Sequence, residues 1–356
     1  MRRRDFLKSS GSAAAVLGAS KATEAAAGIV RPALIGKTIE LTLASPWQSS
    51  RGGFPDSVAR FAHSLQTTYG TRLRLRTDLV ASSGLEAVTS GASDIFFGPA
   101  QADVAHHPAL GYFAGLPGHS GLNPDLLSAW LSQGGGQALW DETSALFGVK
   151  SILVGHTGPS PGFWSTRRIR SLADISSEQI YAEGLAREVV KGLGGRPSDC
   201  QPGEVTGKLA RAEIFAAEWG NPAQSLTAGF PAIAKFCTTS SISRHGSALA
   251  ITFRKSTWDG FDAELQNAIT TAASQEMARS IADARDSDDL LRRALIDALQ
   301  IDFVPLPPDV SAAIDRISGA IVADVAAKDA LSVRINQSYL DICCRASATR
   351  AGTTAV

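Results

Sequence analysis

The chain is poor in charge, in sulfur and in long apolar runs. Charged residues make up 19% of its 356 residues, and 34 Lys+Arg against 34 Asp+Glu cancel to a net charge of zero. Such a composition offers no concentrated cationic face, which argues against nucleic acid as a partner. Four cysteines are too few to staple a fold of this length, so the fold is not expected to depend on disulfides. No stretch of 18 apolar residues occurs, so no segment is long and apolar enough to cross a bilayer as a helix. Disorder is excluded from the other side: 44% of the residues are apolar, enough to offset the entropy of ordering. The length allows two or three domains.

Reactive constellations are missing as well. A nucleophile elbow of the GxSxG kind is absent, and Gly158-Pro159-Ser160-Pro161-Gly162 has prolines where a strand-to-helix turn would need free backbone. There is no P-loop, and Gly192-Leu193-Gly194-Gly195 follows a helical pattern, as a helix stop would. None of the six histidines forms an HExxH pair. The vicinal His106 and His107 diverge from one another ahead of Pro108. Cys200 and Cys237 stand apart, and Cys343-Cys344 are adjacent rather than spaced as CxxC. A catalyst is not expected, and no cofactor is required.

What is present begins at the N-terminus. Arg3-Arg4-Asp5-Phe6-Leu7-Lys8 precedes a small, weakly apolar Ala/Gly/Ser stretch, and Ala25-Ala26-Ala27 suits a cleavage site. This looks like an export signal of the twin-arginine class over 1–27, and it implies a periplasmic protein. Five cationic and two anionic residues lie in that segment, leaving 29 against 32 and a net charge of −3.

Thr38 to Ala44 then alternates as a strand. Val58, Phe61, Ala62 and Leu65 follow at helical spacing, Leu73 and Leu75 mark a second strand, and Asp94 to Phe97 a third. A second unit repeats the pattern. Leu126 to Phe147 reads as mostly helical, Ser151 to Val154 as a strand, and Gln179 to Ala182 and Glu213 to Ala217 as two more. Ser247 to Phe253 reads as a strand returning to the first unit, followed by a helical strut in two pieces, Trp258 to about Arg285 and Leu290 to Ala298, and by a helix through Val310 to Ala326. The expected fold is therefore α/β, with two lobes crossed more than once and a ligand crevice between them. Aromatic and polar residues gather at the joints: Trp47, Phe163-Trp164, Tyr181, and Glu218-Trp219-Gly220-Asn221-Pro222. Aromatic walls with a few oriented polar groups suit binding better than proton transfer.

From Trp47 to about Pro308 the chain resembles the DctP-type solute receptors of tripartite ATP-independent periplasmic (TRAP) transporters. The resemblance is carried by ALFGVK (Ala145 to Lys150), Pro161-Gly162-Phe163-Trp164, Ile169-Arg170-Ser171-Leu172-Ala173-Asp174 and Pro202-Gly203-Glu204-Val205. Ala216 to Pro222 and LTAGFPAIAK (Leu226 to Lys235) complete it, in order and spacing. It implies a two-lobed, class II-like periplasmic binding fold with a long helix spanning both lobes. The first lobe would be 36–158 plus 246–286, and the second 159–245 plus 287–345. It also implies capture of a small organic solute and delivery to the small and large membrane subunits of a permease. The alternative is a sensing or interaction protein on the same fold, and behind that an enzyme.

The candidate solute contacts are Trp47, Phe163, Trp164, Tyr181, Glu218, Trp219, Asn221 and His245, with the aromatics as walls; the resemblance implies that position 181 faces the cleft and that Glu218 lies close to the ligand. For an anionic solute it also implies, as one route, a metal ion bridging solute and Glu218. One departure stands out. Where such receptors carry a carboxylate-binding arginine, this chain has Tyr181, with Glu183 two residues on. A tyrosine hydroxyl cannot neutralise a carboxylate. The solute is then neutral or cationic, or it is a carboxylate or keto acid served by Arg167, Arg168, Arg187, Arg244 or a metal. Otherwise the pocket has a sensing or structural role.

Overall fold

The computed structural model describes residues 38–47, 54–79 and 83–353, so the proposed signal over 1–27 lies outside the described residues. Eleven strands occur among these. They are β1 (Ile39–Ser45), β2 (Leu73–Leu79), β3 (Ile95–Pro99), β4 (Val149–His156), β5 (Phe163–Ser165), β6 (Gln179–Tyr181), β7 (Arg196–Pro197), β8 (Ala216–Glu218), β9 (Phe236–Thr238), β10 (Ala248–Arg254) and β11 (Asp302–Val304). They form two sheets, one in each lobe. The first has the order β2-β1-β3-β10-β4 and the second β11-β9-β5-β8-β6-β7.

In the first lobe β1 runs parallel to β2 and β3, while β10 returns antiparallel between β3 and β4. The expected alternation holds: Leu41 and Leu43 turn inward and are buried. The helix Phe54–Tyr69 lays Val58, Phe61 and Leu65 on this core, at the i, i+3, i+7 spacing of one helical face. The stretch expected to be helical through Gly134-Gly135-Gly136 breaks there instead, into Pro124–Gln133 and Gly136–Ala145. Gly135 adopts φ +82°, and the Trp130 side chain lies against Gly134 and Gly136, leaving no room for a Cβ.

The second lobe sandwiches its sheet between two apolar layers. Phe163 joins Ile180, Val189 and Ile314 on one side, while its neighbour Trp164 joins Leu209, Phe230 and Leu295 on the other. The strut expected as two helical pieces is one unbroken helix, Ala263–Asp297, capped by Asp262, whose carboxylate accepts from the Leu265 amide at 2.8 Å. At ~1.5 Å per residue it spans roughly 50 Å. Leu265 and Ile269 anchor it in the first lobe's core and Leu295 in the second's.

The C-terminal boundary differs from the expected 287–345. The strand β11 and the first half of the helix Pro308–Ala326 do sit in the second lobe. The last helix, Ala330–Thr353, packs on the first. Its Ile335 and Tyr339, one turn apart, enter the aromatic cluster of Tyr112, Phe113 and Trp130, and Tyr112 donates to Asn336 at 2.8 Å. Burying that stripe outweighs its proximity in sequence to the second lobe.

Candidate functional site

Besides the long helix and the helix Pro308–Ala326, two loop segments cross between the lobes: Thr157–Gly162 between β4 and β5, and Thr239–Ser247 between β9 and β10. They are knitted at Thr157. Its amide donates to the Ser247 carbonyl at 2.9 Å, and its hydroxyl accepts from the Ser247 amide at 2.8 Å. Gly246, at φ +81°, brings the crossings so close that a Cβ would lie 1.8 Å from the Gly158 carbonyl, so no other residue fits. The long helix joins in through Ser280, whose hydroxyl accepts from the His156 amide at 3.0 Å. The imidazole of His156 accepts from the Gly158 amide at 3.1 Å. Burial, with His245 nearby, holds its pKa down at about 3, so it is neutral.

Asn221 ties the second lobe to this knot. It caps the helix Pro222–Thr227 through a reciprocal pair of bonds with Gln224, and its side-chain amide donates to the Thr157 carbonyl at 2.8 Å. Its role is therefore to cap and brace. Just before it, Glu218 ends β8 and is buried. Its carboxylate accepts from the Ser243 amide at 2.7 Å and the Ser243 hydroxyl at 3.0 Å. Desolvation raises its pKa against the pull of those bonds. The Trp219 ring is half-buried between Tyr181 (5.8 Å) and Phe230 (5.1 Å), and its carbonyl accepts from Ser160 Oγ at 2.7 Å.

Tyr181 was expected to face the cleft. Its ring instead belongs to the apolar layer with Trp164 and Leu209, and its hydroxyl donates to Glu183 at 2.5 Å. Burial raises the pKa of both partners, so the pair holds its proton tightly. Phe163 and Trp164 were expected as pocket walls. They are 1% and 0% exposed and fill the two cores, because successive residues of a strand covered on both faces are both buried. Trp164 also donates its indole N–H to Ser225 at 3.0 Å. Trp47 packs in the first lobe against Phe54 and Phe97. His245 is half-buried, and burial, with His119 and Arg244 close by, lowers its pKa.

The structure thus gathers Tyr181, Glu183, Glu218, Trp219, Asn221 and the Ser243–His245 segment around the hinge and the β6 and β8 strand ends. It leaves Trp47, Phe163 and Trp164 to cores. The four arginines are engaged. Arg167 pairs with Glu178, and Arg168 with Asp302. Arg187 binds Asp199 and the Ser198 carbonyl. Arg244 donates to Asp315 at 2.8 Å and lies 3.0 Å from His119. No cluster of three or more His, Cys, Asp or Glu positioned to hold a metal occurs among the described residues. Thr157, Ser243 and Ser280 escaped the sequence reading. Their partners lie 25 to 124 residues away, beyond any local motif.

Two α/β lobes, two knitted crossings and a helix spanning both define the class of periplasmic receptors that enclose a solute between lobes. The chain belongs to the DctP family, bacterial extracellular solute-binding protein family 7, which matches residues 125–329. It is a periplasmic TRAP-type solute receptor, in a family of binding proteins that are not catalysts. It is 26% identical over 345 residues to a monocarboxylate 2-oxoacid-binding periplasmic protein of Nostoc, covering 95% of this chain and 93% of that one. The fold is shared with a TRAP solute-binding protein of Bordetella bronchiseptica with copurified calcium and picolinate at one site of a mixed-occupancy dimer (TM-score 0.83, 20% identity, 90% and 96% covered). It is shared also with one of Pseudoalteromonas atlantica holding sodium and pyruvate (TM-score 0.81, 24% identity, 90% and 100% covered).

Proposed function

We propose that the solute is a small 2-oxo monocarboxylate taken up together with a metal cation at Glu218, and that the loaded receptor hands it to the two membrane subunits of a TRAP permease. The observation that carries this is the Tyr181–Glu183 pair standing where a carboxylate-binding arginine would be, with the neighbouring arginines already engaged. A carboxylate brought there alone would meet Glu183 and the buried Glu218, while Arg167, Arg168, Arg187 and Arg244 are each already paired with a carboxylate. A hard cation supplies the missing charge and takes oxygen ligands. The protein offers one carboxylate, Glu218, with the Trp219 carbonyl next to it in the chain. A 2-oxo acid, with its carboxylate and keto oxygens, can supply two more donors. The Nostoc relative and the metal–pyruvate and metal–picolinate structures support the same chemistry. Export by the twin-arginine route is part of this proposal.

A second reading, a neutral or amine-bearing solute, is favoured by the same missing arginine. A thermal-shift panel with pyruvate, succinate and 2-amino-1-propanol, each with calcium or with chelator, separates the two. Pyruvate is expected to stabilise the protein with calcium and to lose that effect in chelator, and Glu218→Gln should abolish it. Chelator-insensitive stabilisation by succinate would overturn the proposal, and stabilisation by the amine alone would establish the second reading.

A further inference from the structure

We propose a second ligand site, for a small oxyanion, at the hinge where the long helix covers the two crossings. A cavity of about 290 Å³ lies there, walled partly by three proline rings. Each crossing element contributes a polar group: Ser160 from the first, Ser240 and Arg244 from the second, Asp288 and Arg292 from the helix. Of these, Ser240 Oγ and Arg244 Nε are buried with no hydrogen-bond partner among the described residues. Leaving a buried donor unmet is costly, so an acceptor reaching them is favoured. The outer nitrogens of Arg244 are engaged by Asp315 and His119, which leaves Nε as its unspent donor. The Arg292 guanidinium lies 4.7 Å over the Phe303 ring. A guanidinium stacked by its face keeps its in-plane N–H groups for an acceptor. Asp288 is the carboxylate on this wall; burial pushes its pKa upward, opposed by Arg292.

Two guanidinium groups and a hydroxyl in a small, proline-walled space match the oxygens of a carboxylate or phosphate. Because both hinge crossings and the long helix line the cavity, an oxyanion there is held by the hinge as it is packed here. Its binding is then linked to lobe closure and, reciprocally, to the affinity of the solute cleft.

Inorganic phosphate and sulfate, titrated into the full chain against chloride at matched ionic strength, test this by calorimetry and thermal shift. Saturable binding above chloride is expected, at least tenfold weaker in Arg292→Gln and in Ser240→Ala, and unchanged in Trp219→Ala. No effect beyond chloride, or equal affinity in parent, Arg292→Gln and Ser240→Ala, would overturn it. So would loss of phosphate binding in a folded Trp219→Ala protein, which would move the anion to the solute cleft. Should Arg292→Gln fold poorly, Ser240→Ala and Trp219→Ala decide. A receptor indifferent to pyruvate that still binds phosphate in this pattern would remove the proposed solute and leave this site standing.

Discussion

The two lobes share an architecture and differ in how their sheets are built. Strands of the first lobe run five to eight residues, whereas those of the second run two or three. A long strand holds its register through its own ladder of backbone bonds and its alternating buried face. Strands of three residues contribute few such bonds, so the second lobe recruits side chains. Thr238 Oγ1 accepts from the Phe163 amide and donates to the Ser240 carbonyl, both at 2.7 Å, and Arg187 holds the Ser198 carbonyl. The second lobe is consequently rich in strand ends, where ligands bind in open α/β sheets. Glu218 and Tyr181 are each the last residue of a strand. The first lobe carries the long ladders, and the second places Glu218 and Tyr181 at the ends of short ones.

The largest test of that comparison is Trp164→Ala. Emptying a fully buried tryptophan site should cost the second lobe about 3–5 kcal/mol in denaturant unfolding, with solute affinity per folded molecule intact. An unchanged stability with a selective loss of affinity would return this ring to the cleft wall.

The next effect comes from pH at the joint. His156 is held near pKa 3, so the unfolded chain takes up a proton on this residue below about pH 6.5 and the folded one does not. Stability contributed by this group is lost as pH falls, at up to about 1.4 kcal/mol per unit. Asp103, in the first lobe, works the other way. Burial raises its pKa to about 6, so the folded state keeps a proton that the unfolded chain releases, and stability falls as pH rises from about 4 to 6. The two slopes oppose one another in that window. Urea unfolding at pH 4, 5, 6 and 7 should show a steeper acid loss in Asp103→Asn and a shallower one in His156→Gln. Parallel profiles for parent and both variants would contradict these assignments.

The smallest effect separates the two jobs of Asn221. Asn221→Ala should cost about 1–2 kcal/mol, losing the cap and the bond to Thr157 together. Asn221→Ser keeps a capping oxygen and, without the amide, loses the donor to Thr157 without adding a charge. If bracing the hinge matters to binding, Asn221→Ser weakens solute binding with little loss of stability; equal affinity in parent and Asn221→Ser would confine the residue to capping.

Much of the first lobe was legible in advance. Alternation in Ile39, Leu41 and Leu43 and helical spacing in Val58, Phe61 and Leu65 are local patterns, and burial of one face is enough to select strand or helix. The ordered motifs up to Glu218-Trp219 identified the family and placed the strand ends. Less of the site was legible, because aromatic residues in Phe163-Trp164 look alike whether they wall a pocket or fill a core. Only the helical layers on both sides of the second sheet decided for the core.

By itself, the sequence determined the two-lobed α/β plan, the lack of a reactive set and the absence of an arginine at position 181. Each of these follows from residue type and short-range spacing. The tertiary structure alone decided that Tyr181 spends its hydroxyl on Glu183, that Ser243 holds Glu218, and that Thr157, Asn221 and Ser280 knot the hinge. It also decided that the last helix covers the first lobe. Most of these are contacts between residues tens to hundreds of positions apart. Their geometry exists only after two lobes have packed against shared helices, and no local pattern encodes it.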